Sequence, residues 1–174
     1  MPRLLLLTIM LMCFHVGVGQ NLIPNGDFEL GPDSTSVGWD SRTDSTCSLF
    51  GFVAGPDNWT KIVGSPDRLI TGDIACDWDN GTAQSGNAWI DFIYNESGKT
   101  VLVVPLEVDS TYKLSYYASW QTFQGLASQP SQVNFSFNNG GNSINGAFIN
   151  NTQWVYYETV FVATAASTEF TITG

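Results

Sequence analysis

The stretch TYKLSYYASW, Thr111 to Trp120, decides the fold class. Side chains on a strand alternate between two faces. Here Tyr112, Leu114, Tyr116 and Ala118 share one face, while Lys113, Ser115, Tyr117 and Ser119 share the other. One set suits a core and the other suits water. A helix, with its period of about 3.6 residues, would scatter both sets around its axis.

The pattern recurs on either side. In SQVNFSF, Ser131 to Phe137, Val133, Phe135 and Phe137 should point inward, with Asn134 and Ser136 outward. WTKIV (Trp59–Val63), NAWIDFIY (Asn87–Tyr94), TVLVVPLEV (Thr100–Val108), QWVYYETVFVA (Gln153–Ala163) and TEFTIT (Thr168–Thr173) read as further strands. NGGNSINGAF supplies a turn and a short strand. LIPNGDFE contains Pro24, so it reads as an edge strand or a strand start. Leu30 to Thr60 and Gly64 to Gly86 read as long polar loops. No helical periodicity of useful length is present, and Gly, Asn and Ser punctuate the strands. The expectation is all-β, a sandwich or barrel.

Composition narrows the function. MPRLLLLTIMLMCFHVGVG has the layout of a secretory signal peptide: Arg3, an apolar run from Leu4 to Val16, then small residues. Residues 1–19 are therefore expected to be cleaved, leaving residues 20–174 as a single domain with no later membrane span. The apolar run falls short of the roughly 20 residues a membrane span requires. Cleavage would leave five basic residues against all sixteen acidic ones, a formal net charge of −11. Nucleic acid and anionic membranes need a basic patch, so the charge argues against both as partners. The lone His15 also leaves, which rules out histidine-based catalysis and histidine metal sites. Paired carboxylates without histidine suffice for a glycosidase, yet no catalytic constellation is recognisable, and the reading is non-enzymatic.

Cys47 and Cys76 remain. In a secreted chain they read most simply as one disulfide, closing a loop of about 30 residues, with two free thiols as the alternative. Five sequons offer N-glycan sites at Asn58, Asn80, Asn95, Asn134 and Asn150.

The order NLIPNGDFELG, WT, SGNAWIDF, LEVDSTYKLSYYAS, and a Trp before TVFVA resembles the galactose-binding-like jelly rolls. These include secreted carbohydrate-binding modules, plant cell-wall proteins of unknown function and choice-of-anchor proteins. The resemblance spans about residues 21–173. It implies a jelly-roll β-sandwich and leads us to expect one more, acidic strand after Thr173, so the sequence reads either as a fragment lacking its last strand or as a sheet that closes differently. It is specific for a fold and weakly so for a ligand.

Three sets of residues are candidates for chemistry. Asp27 and Glu29, if in a strand, would point to one side while Phe28 enters the core. Two hard oxygens beside carbonyl-rich turns suit calcium, and similar modules carry a structural Ca2+ at this motif; the alternative is two solvated acids at a sheet edge. Asp67, Asp73, Asp77 and Asp79 form an acidic cluster whose spacing matches a calcium loop poorly, so a solvated loop is favoured. Aromatic rings with amide partners suit sugar stacking. Tyr117 and Trp120 are the chosen rings, and Gln121, Gln124, Asn138 and Asn139 the polar partners. Trp39, Trp59 and Trp78 lie in the loop-rich half, and core is favoured for any single aromatic. The expected function is a secreted carbohydrate- or glycoprotein-binding module of an extracellular matrix or wall. The alternative is an acidic structural matrix protein associated with calcium or mineral.

Overall fold

The computed structural model describes residues 19–31, 37–38, 56–64, 66–71, 82–92, 95–120 and 131–174. The leader, Cys47, Cys76, Asn80, Gln121, Gln124, Trp39, Trp78 and the acids Asp73, Asp77 and Asp79 lie outside them. Among the described residues the protein is all-β, an antiparallel β-sandwich without a helix. No helix among them is long and apolar enough to cross a membrane.

The strands are β1 (Val37–Gly38), β2 (Trp59–Val63), β3 (Asp67–Ile70), β4 (Ala88–Asp91), β5 (Ser97–Val101), β6 (Thr111–Ala118), β7 (Ser131–Phe137), β8 (Ser143–Ile149), β9 (Val155–Val162) and β10 (Glu169–Thr173). They form a five-stranded sheet in the order β2-β5-β10-β7-β8, a three-stranded sheet β1-β3-β4 and a ribbon β6-β9.

Alternation along β6 and β7 decides what meets across the sandwich. The five-stranded sheet turns Phe135, Phe137 and Phe170 inward, all buried. Phe170 stacks on Phe135 with ring centroids 5.8 Å apart and packs on Phe137 at 5.2 Å. The ribbon answers with Tyr112, Leu114, Tyr116 and Phe161. Tyr116 meets Phe135 at 4.8 Å, and Phe161 meets Phe137 at 5.1 Å. Such aromatic pairs add about 0.5–1.5 kcal/mol each beyond the area they bury.

Several expectations are corrected. LIPNGDFE is a turn, not a strand: residues 23–27 curl, and Asn25 and Phe28 take positive φ values of 48° and 60°. The Asn25-Gly26 turn signal outweighs the apolar pair before it. The strand read as Thr100–Val108 is β5, which starts at Ser97 and ends at Val101. Its Ser-Gly-Lys start has little strand preference of its own, but β2 and β10 pair with it on both sides. The loop read from Gly64 to Gly86 contains β3, held by pairing with β4. The strand read as Thr168–Thr173 is β10, Glu169–Thr173, central in its sheet and paired with β5 and β7.

Candidate functional site

Tyr117 stands on the outer face of the ribbon, where alternation places it. The β6–β9 register sets Tyr117 opposite Tyr156, Ser115 opposite Glu158, Lys113 opposite Val160 and Thr111 opposite Val162. Tyr117 and Tyr156 are 47% and 45% exposed, with ring centroids 5.3 Å apart. The Tyr156 hydroxyl donates to Glu158 Oε2 at 2.7 Å, and Lys113 Nζ lies 3.6 Å from the same oxygen. The Tyr156 bond, then the lysine charge, hold the Glu158 carboxyl below its ordinary range, so it stays an acceptor. The surface thus presents two ring faces beside a fixed carboxylate. Sequence reasoning missed Tyr156. The adjacent pair Tyr156-Tyr157 gives no hint which ring faces out until the β6–β9 register is known.

The inner face of the same cross-strand position holds a second pair. Tyr116 stacks on Tyr157 with centroids 5.4 Å apart and planes 25° from parallel. Both rings line a groove of about 260 Å³ where the edge of β8 faces β9, together with Asn145, Gly146, Glu158 and Thr159. The Tyr116 hydroxyl accepts from Ala147 N–H at 2.7 Å, tying the ribbon to β8. Burial pushes the Tyr116 hydroxyl above its ordinary pKa, so it stays a phenol.

The other predicted sugar-site residues do not assemble around Tyr117. Trp120 is half-buried, and its indole nitrogen is enclosed without a hydrogen-bond partner. Its backbone N–H donates to Asn151 O at 2.8 Å. Asn138 belongs to the β7–β8 turn. Its Oδ1 accepts from Thr168 N–H at 2.7 Å and Glu169 N–H at 3.0 Å, and its Nδ2 donates to Thr168 Oγ1 at 3.0 Å. Thr168 follows the end of β9, whereas Tyr156 stands at its start. Six strand steps of roughly 3.3 Å run from Tyr156 to Val162 at the end of β9, whose carbonyl Asn142 of the β7–β8 turn reaches, so Asn138 sits at the far end of the sandwich and acts as a structural clamp. Asn139 donates to Ala166 O at the same end.

The opening motif is held together by its own groups. Asn25 Nδ2 donates to Leu30 O at 2.7 Å and Asp57 O at 2.9 Å, while Asn25 Oδ1 accepts from Leu30 N–H at 2.9 Å. Trp59 Nε1 donates to Asn25 O at 3.2 Å. Phe28 packs on Trp59 at 5.3 Å, so its expected core role holds although its strand does not. Asp27 is exposed, with Oδ1 facing the backbone N–H of Glu29 at 3.5 Å. Glu29 Oε1 accepts from the backbone N–H groups of Asn87 and Ala88, each at 2.8 Å. The buried Arg68 donates from Nε to Phe28 O at 2.7 Å and from Nη2 to Glu29 O at 2.9 Å.

This donor set does not fit a calcium cage. Calcium takes 6–8 converging oxygens. Here Glu29 turns to backbone amides, Asp27 to its own turn, and the two carbonyls between them already face a guanidinium. Among the described residues no three His, Cys, Asp or Glu side chains gather as a metal group.

One acidic pair escaped the sequence reading. Burial first, and then the charge of the buried Glu96, push the Asp91 carboxyl up to about 6. Asp91 ends β4 and Glu96 precedes β5, and no local sequence pattern marks the two as a pair.

Of the sequons, Asn58, Asn95 and Asn150 are exposed, the first two in turns with positive φ. Asn134 is half-buried in β7 and donates to Gln132 O.

No protein-family model matches the chain, and no curated protein matches it either.

Proposed function

We propose that the protein is a secreted, non-enzymatic carbohydrate- or glycoprotein-binding module of an extracellular matrix or wall, built on a jelly-roll sandwich. One observation carries this reading: the exposed Tyr117–Tyr156 pair beside the Glu158 carboxylate. Sugar rings have apolar C–H faces and polar edges. Flat tyrosines accept the faces, and a fixed carboxylate accepts hydrogen bonds from the hydroxyls. Cross-strand pairing holds both rings on rigid elements, which lowers the ordering cost of binding. The leader and the exposed sequons support secretion through a glycosylating pathway.

Isothermal titration against a glycan panel tests it. A binding glycan should lose roughly 10-fold or more in affinity when Tyr117 or Tyr156 becomes Ala, a stacking loss of about 1.5 kcal/mol per ring. Flat titrations across the panel, or unchanged affinity in both variants, would overturn the reading.

A further inference from the structure

The groove between β8 and β9 has a chemistry of its own. Its hydrogen-bonding groups are only partly spent. Tyr116 Oη accepts one bond from Ala147 N–H, which leaves its own proton to donate. Tyr157 Oη likewise accepts from Asn151 Nδ2 at 3.3 Å. The Asn145 amide and the Thr159 hydroxyl make no side-chain hydrogen bond among the described residues, yet both line the groove. Half-buried polar groups are normally paired, so the free donor capacity of the Tyr116, Tyr157 and Thr159 hydroxyls around one recess, with the exposed Asn145 amide at its rim, points to a missing partner. The floor is kept open by Gly146: a side chain there would run into Val133 O and the Tyr116 hydroxyl.

The lining also selects among partners. No cationic side chain lines the groove, and its one charged group is the Glu158 carboxylate, paired with Lys113, so the lining offers an anion no partner. The remaining groups are neutral donors and acceptors, which match hydroxyls. A space of about 260 Å³ lies below the usual range for drug-sized ligands and admits one ring, not a run of them. Glu158 lies on the strand that separates the groove from the outer tyrosines, and it lines both.

We infer that this groove is a one-ring subsite for a neutral sugar residue, continuing round the edge of β9 from the Tyr117–Tyr156 platform. The inference rests on the proposed glycan-binding function. It makes the groove the part that reads hydroxyl pattern, while the platform supplies stacking.

The test uses the full secreted protein, with 15N-edited NMR and calorimetry. The probes are neutral hexoses, N-acetylhexosamines, uronic acids and oligosaccharides bearing a neutral terminal residue. Thr159→Val and Asn145→Leu each remove one hydrogen-bonding group from the groove; Tyr117→Ala removes half of the platform. A neutral sugar should shift the amides of Asn145, Gly146 and Ala147. Each groove variant should weaken binding by roughly 5- to 10-fold at unchanged melting temperature, about one hydrogen bond's worth. Uronic acids should bind more weakly than their neutral counterparts. If sugars shift only the Tyr117 and Tyr156 signals, and the groove variants bind as wild type, the groove inference fails and the platform stands. If the groove amides shift and Tyr117→Ala is silent, the groove stands and the platform reading fails. If no sugar shifts either set, both are overturned.

Discussion

Replacing Arg68 by methionine keeps a long apolar stem and removes the guanidinium. In the native protein that group is buried and donates to Phe28 O and Glu29 O, at 2.7 and 2.9 Å, among its contacts. Hydrogen bonds from a charged donor are worth about 1.5–3 kcal/mol each, and the two carbonyls would be left unpaired. The turn they belong to is costly without support, because Phe28 sits at a φ of 60°, a strain of order 1–3 kcal/mol for a residue with a side chain. The expected loss is about 3–5 kcal/mol. For a domain of about 155 residues that lowers the melting temperature by roughly 10 °C. Thermal unfolding followed by circular dichroism reads this directly. Arg68→Lys should fall between the two, since an ammonium is a point charge without the planar fork of a guanidinium. Excess EDTA or added calcium should leave the wild-type melt unmoved, because the motif's carbonyls are held by arginine and Glu29 by backbone amides. If EDTA lowers the wild-type melting temperature, or Arg68→Met melts as wild type, the reasoning is wrong.

Two further outcomes follow from the same contacts. Asp91 binds its proton more tightly in the folded state, with a pKa of about 6 against 3.8. Folding therefore takes up a proton between those values, so this group's contribution is fullest below about pH 4 and is lost as pH rises through about 6. Asp91→Asn should raise stability by about 2–3 kcal/mol at pH 8 and change it little at pH 4, in urea melts at both pH values; a variant less stable at pH 8 would contradict this. Asn138→Ala removes three hydrogen bonds that fasten the β7–β8 turn to the start of β10. It should cost about 2–4 kcal/mol in a denaturant melt while leaving glycan affinity unchanged, since Asn138 lies at the end of the sandwich remote from Tyr117.

Legibility in the sequence follows how local each determinant is. β2 and β7 were readable to the residue, and β6 and β9 to within a few; in β6 and β7 alternation alone sorts the side chains. β3 was not: DRLI shows no alternation, and its strand geometry comes from the partners Ala88 to Asp91. The opening segment failed for a related reason. Its apolar Leu22 and Ile23 resemble a strand start, but Arg68, some 40 positions away, closes it as a turn. That bond is invisible to any local pattern.

The site divides along the same line. Tyr117 was identified because its outward face is a property of β6 alone. Tyr156, Glu158 and the groove required the pairing of β6 with β9 and the approach of β8. Asn138 misled because turn asparagines are equally suited to binding ligands and to clamping backbone, and only the position of Thr168 and Glu169 decides between them. A ring's outward direction can be read from one strand, whereas its partners depend on how the strands come together. The two tyrosine pairs make this concrete. Tyr116 and Tyr117 are adjacent in β6, as Tyr156 and Tyr157 are in β9, so one register sets both pairs at once: Tyr117–Tyr156 outside and Tyr116–Tyr157 inside. A slip of one residue in that pairing would place unlike faces opposite each other and dissolve platform and groove together. The tilted contact of the half-buried Tyr116 with the buried Phe135, and its bond to Ala147, fix the register from within. The inner pair thereby holds the outer pair in place.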